Sequence, residues 1–243
     1  MRACVIVPAY QAAKSLAAVT RALRAELGAE LGEGAIIVVD DGSTDQTAEI
    51  ARAEGTVLVS HVRNRGKGAA LRSGMDAAWR MGFDVALTVD ADGQHPAHAA
   101  RVLLEADAPR DALVLGIRDL DGAGAPQANR MSNGISNFFI STFAGTPLAD
   151  TQCGLRRYPL PATLELAGRA DGYAFEAEVI LRAHAAGMPI VQVPIEVYYP
   201  PEAERITHFH KVRDPARIVG AVVRTLADIH VLRRGPSYVQ RGS

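Results

Sequence analysis

Two aspartates separated by one residue follow an apolar segment near the middle of the sequence. Residues 85–89 read VALTV, and the next five positions include Asp90, Asp92 and Gln94. A short apolar run containing β-branched residues predicts a buried strand, beyond which alternate side chains point the same way. Two carboxylates and an amide oxygen suit Mg²⁺ or Mn²⁺ carrying substrate phosphates. The pattern therefore predicts a metal site at Asp90, Asp92 and Gln94, with a solvated turn as the alternative.

The composition is that of a globular protein. The 243 residues are 48% hydrophobic and 22% charged, which permits a substantial core and argues against a disordered or membrane-embedded chain. The formal net charge is −1, so no nucleic-acid partner is expected. Cys4 and Cys153 are the two cysteines, which argues against a disulfide framework and favours a reducing compartment.

Neither the N-terminal segment nor the longest uncharged segment is typical of a membrane element. The apolar run before Pro8 is too short for a secretory signal. Residues 131–149 contain two asparagines, three serines, two glycines and Pro147, which would be costly in hydrocarbon. We therefore expect a cytoplasmic protein that is soluble or binds at the inner membrane surface.

Apolar runs and helical segments alternate along the first half of the sequence, and this alternation predicts the fold. It is typical of an α/β fold, a mostly parallel sheet flanked by helices, here in a single domain. Farther along, residues 189–197 contain two prolines and predict a strand at the edge of the sheet. The predicted strands of the first half are residues 3–7, 35–39, 56–59, 85–89 and 113–116.

Two amphipathic helices are predicted in the second half. The first has an apolar stripe of Met131, Ile135, Phe138 and Phe139, with asparagines and serines off that stripe. The second covers residues 214–232 and has arginines around its apolar side. That side either packs on the core or makes a peripheral contact with an anionic membrane surface.

Three polar clusters follow three of the predicted strands. They read PAY at 8–10, DDGS at 40–43 and DAD at 90–92. In this order and spacing the chain resembles the family 2 inverting glycosyltransferases of the GT-A (Rossmann-like) fold, and it is most similar to dolichyl- or polyprenyl-phosphate sugar synthases. The resemblance implies a GT-A domain over residues 1–213, with residues 214–243 as a C-terminal helix and tail of the same domain.

The resemblance also implies a nucleoside-diphosphate sugar donor, and it assigns the donor site residue by residue. Pro8 and Tyr10 would contact the nucleobase, and Val39 and Asp41 would contact the nucleoside. Asp90, Ala91 and Asp92 would bind the metal and the sugar nucleotide. Arg118, Arg205 and Lys211 would contact the diphosphate. Gln94 matches a further metal-ligand position. The alternatives are a strand-end turn for the first pair and solvated acids beside a helix cap for Asp41.

The sequence departs from the family pattern in two places. Residues 206–210 read ITHFH between Arg205 and Lys211. The synthases have a glycine in this segment and a serine directly before the lysine. Ala12 stands where they often have a glutamate. The family therefore does not predict the conformation of residues 206–210, the acceptor that this segment covers or the preferred nucleobase.

The reaction requires neutralisation of the leaving diphosphate, which a divalent ion and the basic residues would supply. A polyprenyl phosphate acceptor is already an anion and requires no base. A hydroxyl acceptor requires one, and Asp150 is the candidate, with a structural role as the alternative. Arg130 either binds the acceptor phosphate or is a surface residue. The predicted catalytic residues are thus Asp92, Arg118, Arg130 and Asp150.

Other interpretations remain open for the function and for two smaller features. The acceptor could be the hydroxyl of a soluble sugar or small molecule, and a non-catalytic sugar-nucleotide-binding subunit is a third alternative. Glu178 is predicted to be architectural. Residues 66–68 read GKG, for which close packing is favoured over binding of a phosphate.

Overall fold

The computed structural model describes residues 1–32, 34–199 and 213–230. These residues form a seven-stranded sheet with helices on both faces. The strands are β1 (Ala3–Ala9), β2 (Ile36–Asp40), β3 (Val57–Ser60), β4 (Val85–Thr88), β5 (Leu113–Arg118), β6 (Arg156–Pro159) and β7 (Ile190–Ile195). The helices are α1 (Leu16–Leu31), α2 (Thr47–Ala53), α3 (Lys67–Arg80), α4 (Ala97–Leu104), α5 (Gln127–Ala144), α6 (Leu160–Glu165), α7 (Ala174–Ala185) and α8 (Arg213–His230).

The strands lie in the order β3-β2-β1-β4-β6-β5-β7. Strands β1 to β4 run parallel to one another, and β5 runs parallel to β7. Strand β6 runs antiparallel between β4 and β5. The predicted mostly parallel α/β sheet is confirmed, and so is the edge position of β7. The sequence pattern does not predict β6.

The core lies on both faces of the sheet because β1 is apolar on both sides. Cys4 and Ile6 pack with residues of α3 and α7, whereas Val5 and Val7 pack with residues of α1 and α4. All four side chains are fully buried. Burial of a large apolar side chain stabilises a fold by about 1.5–3 kcal/mol, so these two layers fix the strands whose ends carry the polar clusters.

Helix α5 is turned opposite to the usual arrangement of a surface helix. Its predicted apolar stripe faces solvent: Met131, Ile135, Phe138 and Phe139 are each more than half exposed. The polar side faces the protein, where Asn137 Oδ1 accepts a hydrogen bond from the backbone N–H of the loop that precedes β6. Amphipathic helices normally bury the apolar side, so this surface requires an explanation.

Helix α8 packs on α7 at the end of the described chain. Val222 and Thr225 are buried there, and Arg182 Nη2 donates to Asp228 Oδ2 at 3.0 Å. Within the described ranges no helix is long and apolar enough to cross a membrane. The division of the sequence at residue 213 into parts of one domain remains a prediction.

Candidate active site

The polar clusters come together because parallel strands end at the same edge of a sheet. Ala9 of β1 lies opposite Asp40 of β2, and β4 lies on the other side of β1. Gln11 ties the first two loops together, since its backbone N–H donates to Ser43 Oγ at 2.9 Å and its side-chain carbonyl accepts from the N–H of Thr44 at 3.1 Å. The half-buried Pro8 and Tyr10 therefore lie on a loop with defined partners.

Asp41 is hydrogen-bonded within the protein. It lies 2.6 Å from His61 Nδ1 and accepts the backbone N–H groups of Arg65 and Gly66 at 3.0 and 2.7 Å. Its side chain is 4% exposed. The carboxylate therefore anchors the loop before α3, and the geometry does not leave it open to ribose hydroxyls, contrary to the expectation from the sequence.

Two further residues assigned to the donor point into the core. The Val39 side chain is fully buried against α3 and β1, where its packing requires a glycine at position 74. The side chain of Ala91 is 7% exposed and packs with the α1 layer. Burial leaves little of these two side chains accessible, so their backbone groups are the better candidates for a contact with the nucleotide.

Asp90 and Asp92 lie close enough to influence each other's ionisation. Burial and the charge of Asp90 raise the pKa of Asp92 to about 6. The Asp92 carboxylate accepts the backbone N–H of Gln94 at 2.9 Å, which fixes the turn. Two carboxylates that repel each other gain from a shared cation, and this oxygen-rich donor set suits Mg²⁺ or Mn²⁺.

Lys67 is a member of this cluster that sequence reasoning missed. Its Nζ lies 2.6 Å from Asp90 Oδ1 and 3.1 Å from Glu176 Oε1. Burial alone would raise the pKa of Asp90, but the neighbouring positive charges, first among them the Lys67 ammonium, together lower that pKa. The signal was the GKG sequence at the start of α3, whose glycines do pack closely as predicted: a Cβ at Gly68 would lie 2.6 Å from Phe175 Cβ.

Gly154 closes the site on the side of β6. A Cβ there would lie 2.2 Å from Asp90 Oδ2 and 2.8 Å from Lys67 Nζ. Its backbone carbonyl accepts the Thr88 hydroxyl at 2.7 Å. The loop that ends at Gly154 therefore approaches Asp90 and Lys67 through bare backbone, and any larger residue there would force one of these side chains or the loop to shift.

Asp150 holds Arg118 in a bidentate pair. Arg118 Nε donates to Asp150 Oδ2 at 2.7 Å and Nη2 to Oδ1 at 3.0 Å, and the Asp150 carboxylate also accepts the N–H of Gln152 at 3.1 Å. Burial alone would lower the pKa of Arg118, but the hydrogen bond and charge of Asp150 raise it. With its side chain fully buried, Asp150 positions Arg118 and does not present a free oxygen to an acceptor hydroxyl.

The remaining predicted residues lie toward the outside of the site. Arg130 is in the first turn of α5, where its half-exposed guanidinium pairs with Asp121 at 2.6 Å. Gln94 is half-buried, and its backbone carbonyl accepts the N–H of Tyr198 at 2.8 Å. The segment after β7 therefore lies against the loop that carries Asp92 and Gln94. Arg205 and Lys211 lie outside the described residues.

His95 is a second buried group that the sequence did not single out. Its Nε2 lies 3.5 Å from Cys153 Sγ, and its Nδ1 has no hydrogen-bond partner among the described residues. Burial lowers the pKa of His95 to about 4, so the imidazole is neutral at physiological pH. It borders Asp90 without adding charge to the site.

A comparison with protein families identifies the family to which the chain belongs. The profile of the family described as Glycosyl transferase family 2 matches residues 4–158. The chain belongs to this family. That confirms the resemblance seen in the sequence, and the protein is a family 2 glycosyltransferase.

Several characterised glycosyltransferases are similar to this one over most of its length. The undecaprenyl-phosphate mannosyltransferase of Micrococcus luteus is 31% identical over 206 residues, covering 80% of this chain and 83% of that protein. A UDP-N-acetylglucosamine–dolichyl-phosphate N-acetylglucosaminyltransferase of Methanococcus voltae is 28% identical, covering 80% and 84%.

Solved structures confirm the GT-A architecture of this family 2 glycosyltransferase. Mannosyl-3-phosphoglycerate synthase of Rubrobacter xylanophilus superposes with a TM-score of 0.70 at 20% identity, covering 100% of this chain and 77% of that one. Glucosyl-3-phosphoglycerate synthase of Mycobacterium tuberculosis, in complex with Mn²⁺, UDP and phosphoglyceric acid, gives 0.69 at 19% identity, covering 93% and 78%.

Proposed function

We propose that this enzyme transfers a sugar from a nucleoside-diphosphate sugar to a polyprenyl phosphate at the cytoplasmic surface of a membrane. Asp90, Asp92 and Gln94 would hold Mg²⁺ or Mn²⁺ on the donor diphosphate. The observation that carries the proposal is the exposed apolar side of α5, which is joined to the candidate site by hydrogen bonds.

The link between α5 and the site runs through the loop before β6. Asn137 Oδ1 accepts the N–H of Thr151 at 2.8 Å, and Ser136 Oγ lies 2.7 Å from Thr151 Oγ1. The neighbouring Asp150 holds Arg118. The apolar side of α5 is therefore fixed relative to the charged centre, because the polar side of the same helix supports the loop that positions Arg118.

A lipid surface is the occupant that the chemistry of this helix favours. Five large apolar side chains are exposed along one side, which is an unusual surface for a protein that contacts water alone. Amphipathic helices with Phe, Leu or Trp on one side bind at the boundary of head groups and acyl chains. The exposed residues are Met131, Ile135, Phe138, Phe139 and Phe143.

On the donor side, the residues supply positive charge where the diphosphate leaves. A bound divalent ion would act as a Lewis acid on the phosphate oxygens. Arg118, held in place by Asp150, adds a fixed guanidinium without a reorganisation cost. Pro8 and Tyr10 would contact the nucleobase, and Arg205 and Lys211 would extend the basic surface.

On the acceptor side, the structure suits an acceptor that needs no base. A polyprenyl phosphate is already anionic at neutral pH, and Arg130 in the first turn of α5 would bind it in a charge-assisted contact. A hydroxyl acceptor requires proton removal, but both Asp150 oxygens are already hydrogen-bonded. The similar mannosyl- and N-acetylglucosaminyltransferases, whose names specify undecaprenyl and dolichyl phosphates, support this choice.

The test is transfer from several UDP- and GDP-sugars, with Mg²⁺ or Mn²⁺, to undecaprenyl phosphate or to undecaprenol in lipid vesicles. Product from the phosphate alone supports the proposal, and equal product from the alcohol contradicts it. The double variant Phe138→Ser/Phe139→Ser should bind vesicles about 10- to 100-fold more weakly, since it loses two exposed aromatic side chains that would enter the lipid.

A matched variant distinguishes a specific effect of α5 from the general effect of removing exposed apolar side chains. Trp79→Ser/Val102→Ser removes two exposed apolar residues from α3 and α4, and it should bind vesicles like the unmodified enzyme. Both variants should transfer sugar equally well to a short-chain, water-soluble prenyl phosphate. Unchanged vesicle binding by the α5 variant would rule out α5 as the membrane contact.

A further inference from the structure

The ammonium group of Lys67 lies between two carboxylates at the start of α3. Nζ is 2.6 Å from Asp90 Oδ1 and 3.1 Å from Glu176 Oε1, and the Lys67 side chain is 14% exposed. Asp90 is a proposed metal ligand, whereas Glu176 is on the first turn of α7. The same cation therefore neutralises one carboxylate of the metal site and one outside it.

A metal ion on Asp90 would compete with this ammonium for the same carboxylate. Mg²⁺ binds carboxylate oxygens at about 2.0–2.1 Å, so an ion on Asp90 would lie within a few ångströms of Lys67 Nζ. Two cations at that separation in a partly buried site repel strongly. Metal binding would therefore favour withdrawal of Lys67 from Asp90.

The surroundings of Lys67 favour one direction for that movement. The backbone of Gly154 lies against the Lys67–Asp90 pair on one side, since a Cβ there would come within 2.8 Å of Nζ. Glu176 Oε1 is buried and accepts no hydrogen bond from the described residues, although Nζ is within ion-pairing distance. A buried acceptor without a hydrogen bond is costly, so Glu176 gains when the ammonium turns fully toward it.

We infer that Lys67 is a positioning residue that holds Asp90 in the metal-free enzyme and transfers its ion pair to Glu176 when the metal binds. No covalent bond and no proton is exchanged in this step. The inference rests on the proposed metal site at Asp90 and Asp92. It adds that metal affinity is set by a competition between Lys67 and the metal ion, with Glu176 as the alternative partner of the lysine.

Mn²⁺ binding to the nucleotide-free enzyme, followed by electron paramagnetic resonance, measures this competition. Lys67→Met removes the competing charge and should tighten Mn²⁺ binding about tenfold, whereas Glu176→Gln removes the alternative partner and should weaken it about tenfold. In the double variant the Glu176 substitution should have little further effect, because no lysine remains to be accommodated. Strictly additive effects would indicate through-space electrostatics alone and would overturn the inference.

The exposed Lys14 and Glu49 provide matched controls. Lys14→Met and Glu49→Gln change the same charges away from the site, and both should leave Mn²⁺ affinity unchanged. Thermal unfolding of each variant without metal shows whether the substitutions have altered the fold.

A direct observation of the lysine is also available, because the sequence contains only Lys14, Lys67 and Lys211. Nuclear magnetic resonance of enzyme labelled at lysine ¹³Cε and ¹⁵Nζ should give a Lys67 signal, assigned with Lys67→Met, that shifts on addition of diamagnetic Mg²⁺. The shift should be absent in Asp92→Asn. If Mg²⁺ binds in an Asp92-dependent manner while the Lys67 signal stays unchanged, the lysine transfer is wrong and the metal site stands. If no Mg²⁺ binds with or without nucleotide, both are wrong.

Discussion

At the ends of β1, β2 and β4, polar side chains are tied to backbone groups of the neighbouring loops, whereas α5 presents large apolar side chains to solvent. Asp41 illustrates the first region, with three protein partners for one carboxylate. Phe138 illustrates the second, with two thirds of its surface exposed. Both regions adjoin the same charged centre through Asp90 on one side and Arg118 on the other.

The difference indicates where each region obtains its order. The donor side is preorganised, because its carboxylates are oriented by fixed N–H groups before any ligand arrives, and such preorganisation stabilises developing charge at no further cost. The apolar side of α5 gains stabilisation only from a partner outside the described chain. Substitutions on the donor side should therefore alter chemistry, while substitutions on α5 should alter binding to a surface.

The largest effect is expected for Asp92→Asn. Loss of one of two metal carboxylates should reduce sugar transfer by about 1,000-fold, since the charge on the leaving diphosphate is no longer neutralised. Initial rates with saturating Mn²⁺ measure this. Asp107→Asn, an exposed aspartate outside the site, is the control. A rate for Asp92→Asn within a few-fold of the control would contradict the assignment of Asp92 as a metal ligand. The ends of the strands would then not differ from α5 in their effect on the chemistry.

Gly154→Ala should have the next largest effect. The added Cβ would lie 2.2 Å from Asp90 Oδ2, so the carboxylate or the loop must shift, with a loss of about 1–3 kcal/mol in stability and about 100-fold in metal-dependent nucleotide binding. Calorimetric titration with UDP and Mn²⁺ measures the latter. Gly28→Ala in α1, where a Cβ meets only ordinary contacts, should be neutral or slightly stabilising. Equal behaviour of the two variants would show that the close approach is unimportant.

Asp150→Asn tests whether Asp150 acts as a general base or positions Arg118 between the donor side and α5. If Asp150 positions Arg118, transfer should fall about tenfold, the acid limb of the pH–rate profile should persist, and Asp150→Asn should add little in an Arg118→Gln background. If Asp150 were a general base, the acid limb would disappear and the loss would be far larger. The pH profiles of the single and double variants distinguish these outcomes.

The smallest expected effect is on stability, and it has the opposite sign. The pKa of Asp92 is about 6 in the folded enzyme, above its ordinary value of 3.8, so the ionised carboxylate disfavours folding above about pH 6. In the presence of EDTA, Asp92→Asn should therefore be more stable by about 1–2 kcal/mol at pH 8. That advantage should shrink as the pH falls below about 6, where the carboxyl of the folded enzyme becomes protonated, and it should disappear below 3.8, where the unfolded chain is protonated as well. A constant difference in Tm from pH 8 to pH 4 would contradict the electrostatic origin.

The strand ends were predictable from the sequence because each combines a local apolar run with polar residues directly after it. Asp90 and Asp92 could be placed by that rule alone. Lys67 could not, since its role depends on Asp90 and Glu176, which lie far away in sequence. The periodicity of α5 predicted a helix with an apolar side, but periodicity does not specify which side faces the protein.

Strand β6 escaped prediction for a physical reason as well. Its first two residues are arginines, which are rarely buried. Arg156 is nevertheless fully buried, because its guanidinium donates to three backbone carbonyls, those of Cys153, Thr151 and Glu176. A sequence pattern cannot show that such partners are available.

The position of β6 also has a consequence for the order in which the enzyme folds. Strand β4 ends at Thr88 and its neighbour β6 ends at Pro159, so 159 − 88 = 71 residues must be synthesised before that edge of β4 is paired. At ribosomal rates this takes roughly 4–14 s. The β1–β4 half can form earlier from its own residues, but until β6 arrives it carries an open strand edge, which is a template for aggregation. The segment that completes the active site is thus also the one that protects the nascent chain.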